Sequence, residues 1–167
     1  MVKAIVYNSK TGFTKDYAKI ISDETKIPCY TIEESKTELS KGDEIFYMGW
    51  IMAGSVKGFA EVSKLFTIKG VCGVGMMANE AQRAGIQKKC GLSEDIPVFQ
   101  IQGGFDMSKL SGIDKFLMKI VKNVNMKKLN AKAELTESEK VIKKLFVEGG
   151  SCVSKANVEP IIAVLSK

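Results

Sequence analysis

Ser9-Lys10-Thr11-Gly12-Phe13-Thr14 follows a short apolar run, Lys3 to Asn8, and leads into a stretch of helical periodicity. The run is apolar and β-branched in its middle, which predicts a strand. A helix is predicted from near Thr14, with Tyr17, Ala18, Ile20 and Ile21 facing inward and Lys15, Asp16 and Lys19 facing out. The six quoted residues are therefore a strand-to-helix turn. Such a turn attracts anions, because the first N–H groups of a helix have no partner within it and carry a partial positive charge. Ser9, Thr11 and Thr14 add hydroxyls, and Gly12 lets the backbone curl closely around a phosphate. The turn matches neither G-x-x-x-x-G-K-[ST] nor G-x-G-x-x-G.

Outward from the turn, strands and helices alternate. Pro28 to Ile32 reads as a second strand, Glu33 to Lys41 as a loop or a single helical turn, and Asp43 to Trp50 as a buried third strand. A glycine-containing loop, Gly49 to Gly58, precedes a helix from about Phe59 to Phe66. Lys69 to Met77 is the fourth strand, Glu80 to Cys90 a helix, and Ile96 to Gln102 the fifth strand, with Pro97 at its edge or start. Strands apolar throughout belong in a parallel sheet covered on both faces, so the expected fold is α/β, a doubly wound five-stranded parallel sheet with extra C-terminal helices. One domain over 1–167 is expected, with a core of about 1–124 and a helical extension of about 125–167.

Ser108 to Val124 repeats apolar residues at Leu110, Ile113, Phe116, Leu117, Ile120, Val121 and Val124. Lys109, Lys115, Lys119 and Lys122 stand between them, followed by Lys127 and Lys128. Two readings are open: a packing helix with its lysines in solvent, or a basic amphipathic helix touching an anionic substrate or a membrane through 108–128. Thr136 to Val147 is a further helix with Thr136 and Glu139 spaced as a capping box, and Asn157 to Leu165 a last one, Pro160 lying near its start. Gly149-Gly150-Ser151 reads as the hinge between them.

Composition excludes several chemistries. Hydrophobic residues make up 45% and charged residues 26%, a globular balance. The longest apolar stretches, around Ile45 to Ala53 and Val71 to Ala78, fall short of the roughly 20 residues of a membrane span. The chain enters a strand at once, leaving no room for a signal peptide; the expected location is cytoplasmic, with peripheral contact to a membrane. The 4 cysteines, Cys29, Cys72, Cys90 and Cys152, lie far apart, which argues against a disulfide framework or a zinc site, and no metal is expected. With 0 histidines, Ser-His and Cys-His catalysis are removed, and chemistry falls to a cofactor or to carboxylates, lysines and tyrosines. The net charge of +6 favours anionic partners, but spread lysines and few aromatics give nucleic acid no support.

The turn matches the [ST]-x-T-G-x-T phosphate loop of the flavodoxin family at every defined position, and the chain resembles that family. The resemblance implies FMN as cofactor, its phosphate held by Ser9, Lys10, Thr11, Gly12, Phe13 and Thr14, at the point between strands one and three where the winding reverses. It places the flavin ring beside the second loop, Trp50, Ile51, Met52, Ala53 and Gly54, with Gly54 offering backbone to flavin N5. Trp50 either stacks on the ring or packs in the core. The third loop, Met77, Ala78 and Asn79, lacks the aromatic common there, which implies a more open flavin face. A second stretch, Gln102-Gly103-Gly104-Phe105-Asp106-Met107-Ser108-Lys109-Leu110 and Asp114 to Lys119, is similar to the flavodoxin-domain protoporphyrinogen oxidases, in which FMN passes electrons from protoporphyrinogen to a membrane quinone. The tail from Asn125 is longer than that group has. Three classes follow: an FMN-dependent oxidoreductase of a porphyrinogen or quinone type, a flavodoxin-type electron carrier for protein partners, or an interaction module. Carriers are as a rule acidic, and the opposite sign here implies a less negative low potential.

Overall fold

In the computed structural model, which describes residues 1–78 and 80–167, β1 (Ala4–Asn8) passes through the Ser9–Gly12 turn into α1 (Phe13–Thr25). Then follow β2 (Cys29–Thr31), α2 (Ile32–Glu38), β3 (Glu44–Met52), β4 (Ser55–Val56), α3 (Phe59–Leu65), β5 (Thr67–Gly75), α4 (Glu80–Cys90) and β6 (Val98–Gln102). β2, β1, β3, β5 and β6 run parallel in that spatial order. The order reverses between β1 and β3, and a crevice opens there at the carboxyl ends of the strands. This is the expected doubly wound α/β sheet.

Side-chain alternation along β3 supplies both faces. Phe46 and Met48 point to one side, where Ile5, Tyr17, Ile21 and Cys72 are buried with them. Ile45 and Tyr47 point to the other, against Ile32, Val62 and Ile86. Burial on both sides is why these strands read as unbroken apolar runs.

Two local expectations are corrected. The segment 32–38 is a helix of two turns, neither a loop nor only the single turn allowed for 33–41. Thr31 Oγ1 accepts from the Glu34 N–H at 3.2 Å and the Glu34 carboxylate accepts from the Thr31 N–H at 2.8 Å, a complete capping box. β3 also continues past Trp50 to Met52 and folds back on β4, pairing Met52 with Ser55. The connecting residues Ala53 and Gly54 have φ of 50° and 72°, so both central positions are left-handed, as a tight hairpin matching the strand twist requires.

Gly58, at the start of α3, has φ of 84°. A Cβ there would collide with the Tyr47 hydroxyl and lie 2.6 Å from Ile32 Cδ1 and 2.9 Å from Asn8 Nδ2. Left-handed strain and overpacking together predict a loss of about 3 kcal/mol for Gly58→Ala. Urea unfolding should show a lower midpoint at unchanged slope; a loss below about 0.5 kcal/mol would mean that the loop yields freely.

The chain does not go straight from β6 to the helix that closes the sheet. Residues 103–155 stand between, containing β7 (Gly104–Phe105), a 3-10 turn at Met107–Lys109, α5 (Gly112–Asn130), α6 (Glu137–Glu148) and β8 (Gly150–Ser151). β7 and β8 pair antiparallel, and the Cys152 N–H donates to Gly103 O at 2.7 Å, so the two ends of the excursion meet at its base. Gly149-Gly150-Ser151 is thus not a hinge; Gly150 and Ser151 are one strand of this ribbon. The long helix begins at Gly112 rather than Ser108, because Asp106 Oδ1 accepts from the Ser108 N–H at 2.9 Å and starts a separate turn. The excursion has its own small core, Phe105, Leu129, Ile142, Leu145 and Phe146. Beyond it, a 3-10 turn (Ala156–Val158) and α7 (Glu159–Leu165) return to the sheet, and Val158 and Ile161 are fully buried beside α1. The boundary expected near 124 therefore falls inside α5, and the last helix covers the sheet rather than extending from it.

Candidate cofactor site

The carboxyl ends of β1, β3, β5 and β6 form one edge, and the Ser9–Gly12 turn stands on it. Gly12 has φ of +96°, a conformation most residues avoid, and its N–H donates to Ser9 Oγ at 3.1 Å. No side chain caps α1, so its first N–H groups face the turn. Thr14, in the first helical turn, is only 2% exposed.

Two cations reach this turn. Lys10 Nζ pairs with Asp114 of α5 at 2.5 Å. Lys109, at the foot of the excursion, stands 5.4 Å above the Phe13 ring, and its Nζ lies 3.8 Å from where a Cβ on Gly12 would sit. Beside it, Asp106 is held below the usual carboxylate range, first by the Ser108 hydroxyl and then by backbone N–H groups.

A hollow at the turn is lined by Lys10, Thr11, Phe13, Thr14 and Gly103–Asp106. It adjoins a larger, apolar cavity of about 270 Å³ between the β3–β4 hairpin and α5. Both are lined by Trp50, Ile51, Gly75, Met76, Leu110 and Met118, so one groove runs from the turn to the cavity. Apolar walls beside an uncapped helix end suit a flat aromatic group that carries a phosphate.

The structure brings together most of the residues singled out in the sequence. Lys10, Thr11, Phe13 and Thr14 line the turn end; Gly12 shapes it; Ser9 acts from behind by holding the Gly12 N–H. Trp50, Ile51, Met52, Ala53 and Gly54 line the cavity, though Trp50, Ile51 and Met52 do so as part of β3 and not as loop residues. Trp50 is half-buried and borders both hollows, with Lys57 Nζ 6.0 Å from its ring centre. The left-handed Ala53 is fixed by its carbonyl, which accepts from Lys89 Nζ at 2.7 Å. Met77 reaches the cavity, Ala78 is exposed and does not line it, and Asn79 lies outside the described residues.

Sequence reasoning missed the roof. Leu117 and Met118 of α5 and Ile142 and Phe146 of α6 close the cavity from above. A signal was present: Met118, Met126 and the buried Leu129 mark a second apolar side of α5, distinct from the Ile113–Val124 row. The cysteines line neither hollow, and burial pushes the Cys72 thiol far up, leaving it unreactive.

This winding order, with a left-handed glycine turn after β1 and a crevice beside β3, is accompanied by a match between a flavodoxin domain family model and residues 4–132. The chain belongs to the flavodoxin family. No curated protein matches it in sequence. The matched region of the chain ends before α6, so α6, β8 and α7 lie beyond it. Flavodoxin domains typically bind FMN, and the residues present fit that group: an uncapped helix end, the left-handed Gly12, three hydroxyls, two ammonium groups and an apolar crevice. Among the described residues, no helix is long and apolar enough to cross a membrane.

Proposed function

We propose that this flavodoxin binds FMN along the groove and passes electrons between apolar small molecules, a porphyrinogen-type donor and a quinone acceptor. The carrying observation is the roofed apolar cavity at the far end of the groove from the phosphate turn. When bound, FMN supplies the electron-transfer chemistry. The chain's own part is to hold and shield. Ser9–Thr14 and the α1 N–H groups would receive the phosphate, with Lys10 and Lys109 beside it, each already facing a carboxylate, Asp114 at 2.5 Å and Asp106 at 3.8 Å. Trp50 and Met76 border the ring's place, and Leu117 and Met118 exclude water and leave room for an apolar reactant. A carrier serving protein partners would need an open flavin edge instead, whereas Leu117, Met118, Ile142 and Phe146 line the far end of this groove.

The test begins with incubation in FMN, desalting and an absorbance spectrum, which should retain the bound-flavin bands. The protein is then reduced anaerobically and mixed with menadione or with cytochrome c. Menadione should reoxidise it saturably. Leu117→Trp, at a position that lines the cavity and not the turn hollow, should weaken the menadione response about tenfold, near 1.4 kcal/mol, with flavin still bound. Loss of flavin on desalting would remove the redox reading. Faster reoxidation by cytochrome c, unaffected by the variant, would establish the carrier.

A further inference from the structure

The inward side of α5 is satisfied by the body of the protein; its outward side is not. Leu129 is buried, and Met118 and Asn125 line the cavity. At about 100° per residue, Ile113, Phe116, Ile120 and Val124 share another side of the helix. They are 77%, 65%, 45% and 46% exposed, a continuous apolar row in solvent. Leu117 and Val121, 39% and 43% exposed, sit at the border between this row and the cavity they also line. A helix with one face on a core ordinarily turns polar groups to water, so a second apolar row marks a surface that something covers.

Charge identifies what covers it. Lys115, Lys119, Lys127 and Lys128 are exposed, and among the described residues none of them is in an ion pair. The one acidic residue of α5, Asp114, is committed to Lys10. By helical geometry Lys119 lies along one flank of the row, while Lys127 and Lys128 bracket its carboxyl end. Two copies packed row to row would bring these lysine clusters together and repel. A layer of anionic headgroups over acyl chains complements both parts, the row entering the apolar boundary and the lysine stems reaching back to the phosphates.

We infer that α5 is an interfacial helix that lays the Ile113–Val124 row on an anionic membrane surface. The inference stands on α5 alone and does not require FMN. If the cavity also takes an apolar reactant, Leu117 and Val121 put its wall at the lipid boundary.

The full chain is sedimented with vesicles of phosphatidylcholine alone or mixed with phosphatidylglycerol. Binding is expected to the mixed vesicles, at least about tenfold tighter than to the neutral ones, and weaker as salt is raised. Phe116→Asp with Ile120→Asp should reduce it at least about tenfold, as should Lys115→Glu with Lys119→Glu and Lys127→Glu. Both sets are exposed, and an unchanged far-ultraviolet circular dichroism spectrum confirms that each variant folds. Light scattering across protein concentrations should show a monomer without vesicles. A concentration-dependent dimer dispersed by the aspartate variant, without vesicle binding, would assign the row to a second copy and overturn the proposal. A monomer that binds neither vesicle would overturn it as well. FMN retention is read separately, so failure here leaves the cofactor reading intact.

Discussion

Thr14→Asp is expected to weaken FMN binding about a thousandfold while leaving riboflavin binding nearly unchanged. Thr14 is almost fully buried in the first turn of α1, beside the groove floor. An aspartate at this helical position gains from the helix dipole but loses hydration where Thr14 is buried, so an unchanged circular dichroism spectrum is required of the variant before titration. Toward a phosphate the same carboxylate is a like charge. At about 4 Å and an effective dielectric constant of about 20, two unit charges repel by about 4 kcal/mol, which is close to a thousandfold in affinity. Thr14→Val removes the hydroxyl and adds no charge; losing one hydrogen bond to a charged group predicts about 1.5–3 kcal/mol. Fluorescence titrations with the two flavins read the difference directly. Riboflavin has the same ring and no phosphate, so equal weakening of both ligands would show that the turn shapes the groove without holding phosphate.

The turn was legible because everything it needs is local: a strand before it, a helix after it, hydroxyls and a glycine between. The sheet was legible for a related reason, since burial on both faces leaves β3 and β5 apolar along most of their length. The hairpin after β3 was not. Its turn is Ala53-Gly54, and nothing about an alanine announces φ of 50°; that conformation is held from elsewhere, by Lys89 reaching across from α4. α2 was partly legible: a single helical turn is among the readings of 33–41, and Thr31 and Glu34 carry the same capping spacing that marks α6 through Thr136 and Glu139. The excursion's shape was hidden for a different reason. Gly104–Phe105 and Gly150–Ser151 are too short to show a strand period, and their pairing joins residues far apart in the chain. The roof shares this difficulty: the repeat along α5 shows that apolar sides exist, but the side that meets the body is the one packed with Ile142, Leu145 and Phe146 of α6, far along the chain.

Tyr17 holds the base of the excursion, and its removal is expected to be the most damaging single change in the core. The side chain is fully buried. Its hydroxyl proton is shared between Gln102 O at 2.6 Å and Cys152 O at 2.9 Å, and its oxygen accepts from Asn157 Nδ2 at 2.7 Å. One hydroxyl thus ties the last residue of β6, the residue just after β8 and the turn before α7. Tyr17→Phe takes the hydroxyl donor from Gln102 O, while Cys152 O keeps its bond from Asn157 Nδ2 at 2.9 Å, so the loss should be about 1–3 kcal/mol. Tyr17→Ala adds a cavity and should cost about 3–5 kcal/mol. The phenylalanine variant should also show a local signature: hydrogen exchange at the Cys152 N–H should speed up more than at Ile5 or Phe46, because the ribbon opens before the sheet does. Uniform acceleration would mean that the ring packs the core and the hydroxyl holds nothing. Alkaline unfolding gives a second check. Burial, the largest cause, raises the Tyr17 phenol above its usual value, so the unfolded chain loses this proton first. Its contribution is complete below about pH 10 and is lost as pH rises through the folded value, and Tyr17→Phe should flatten that part of the stability profile.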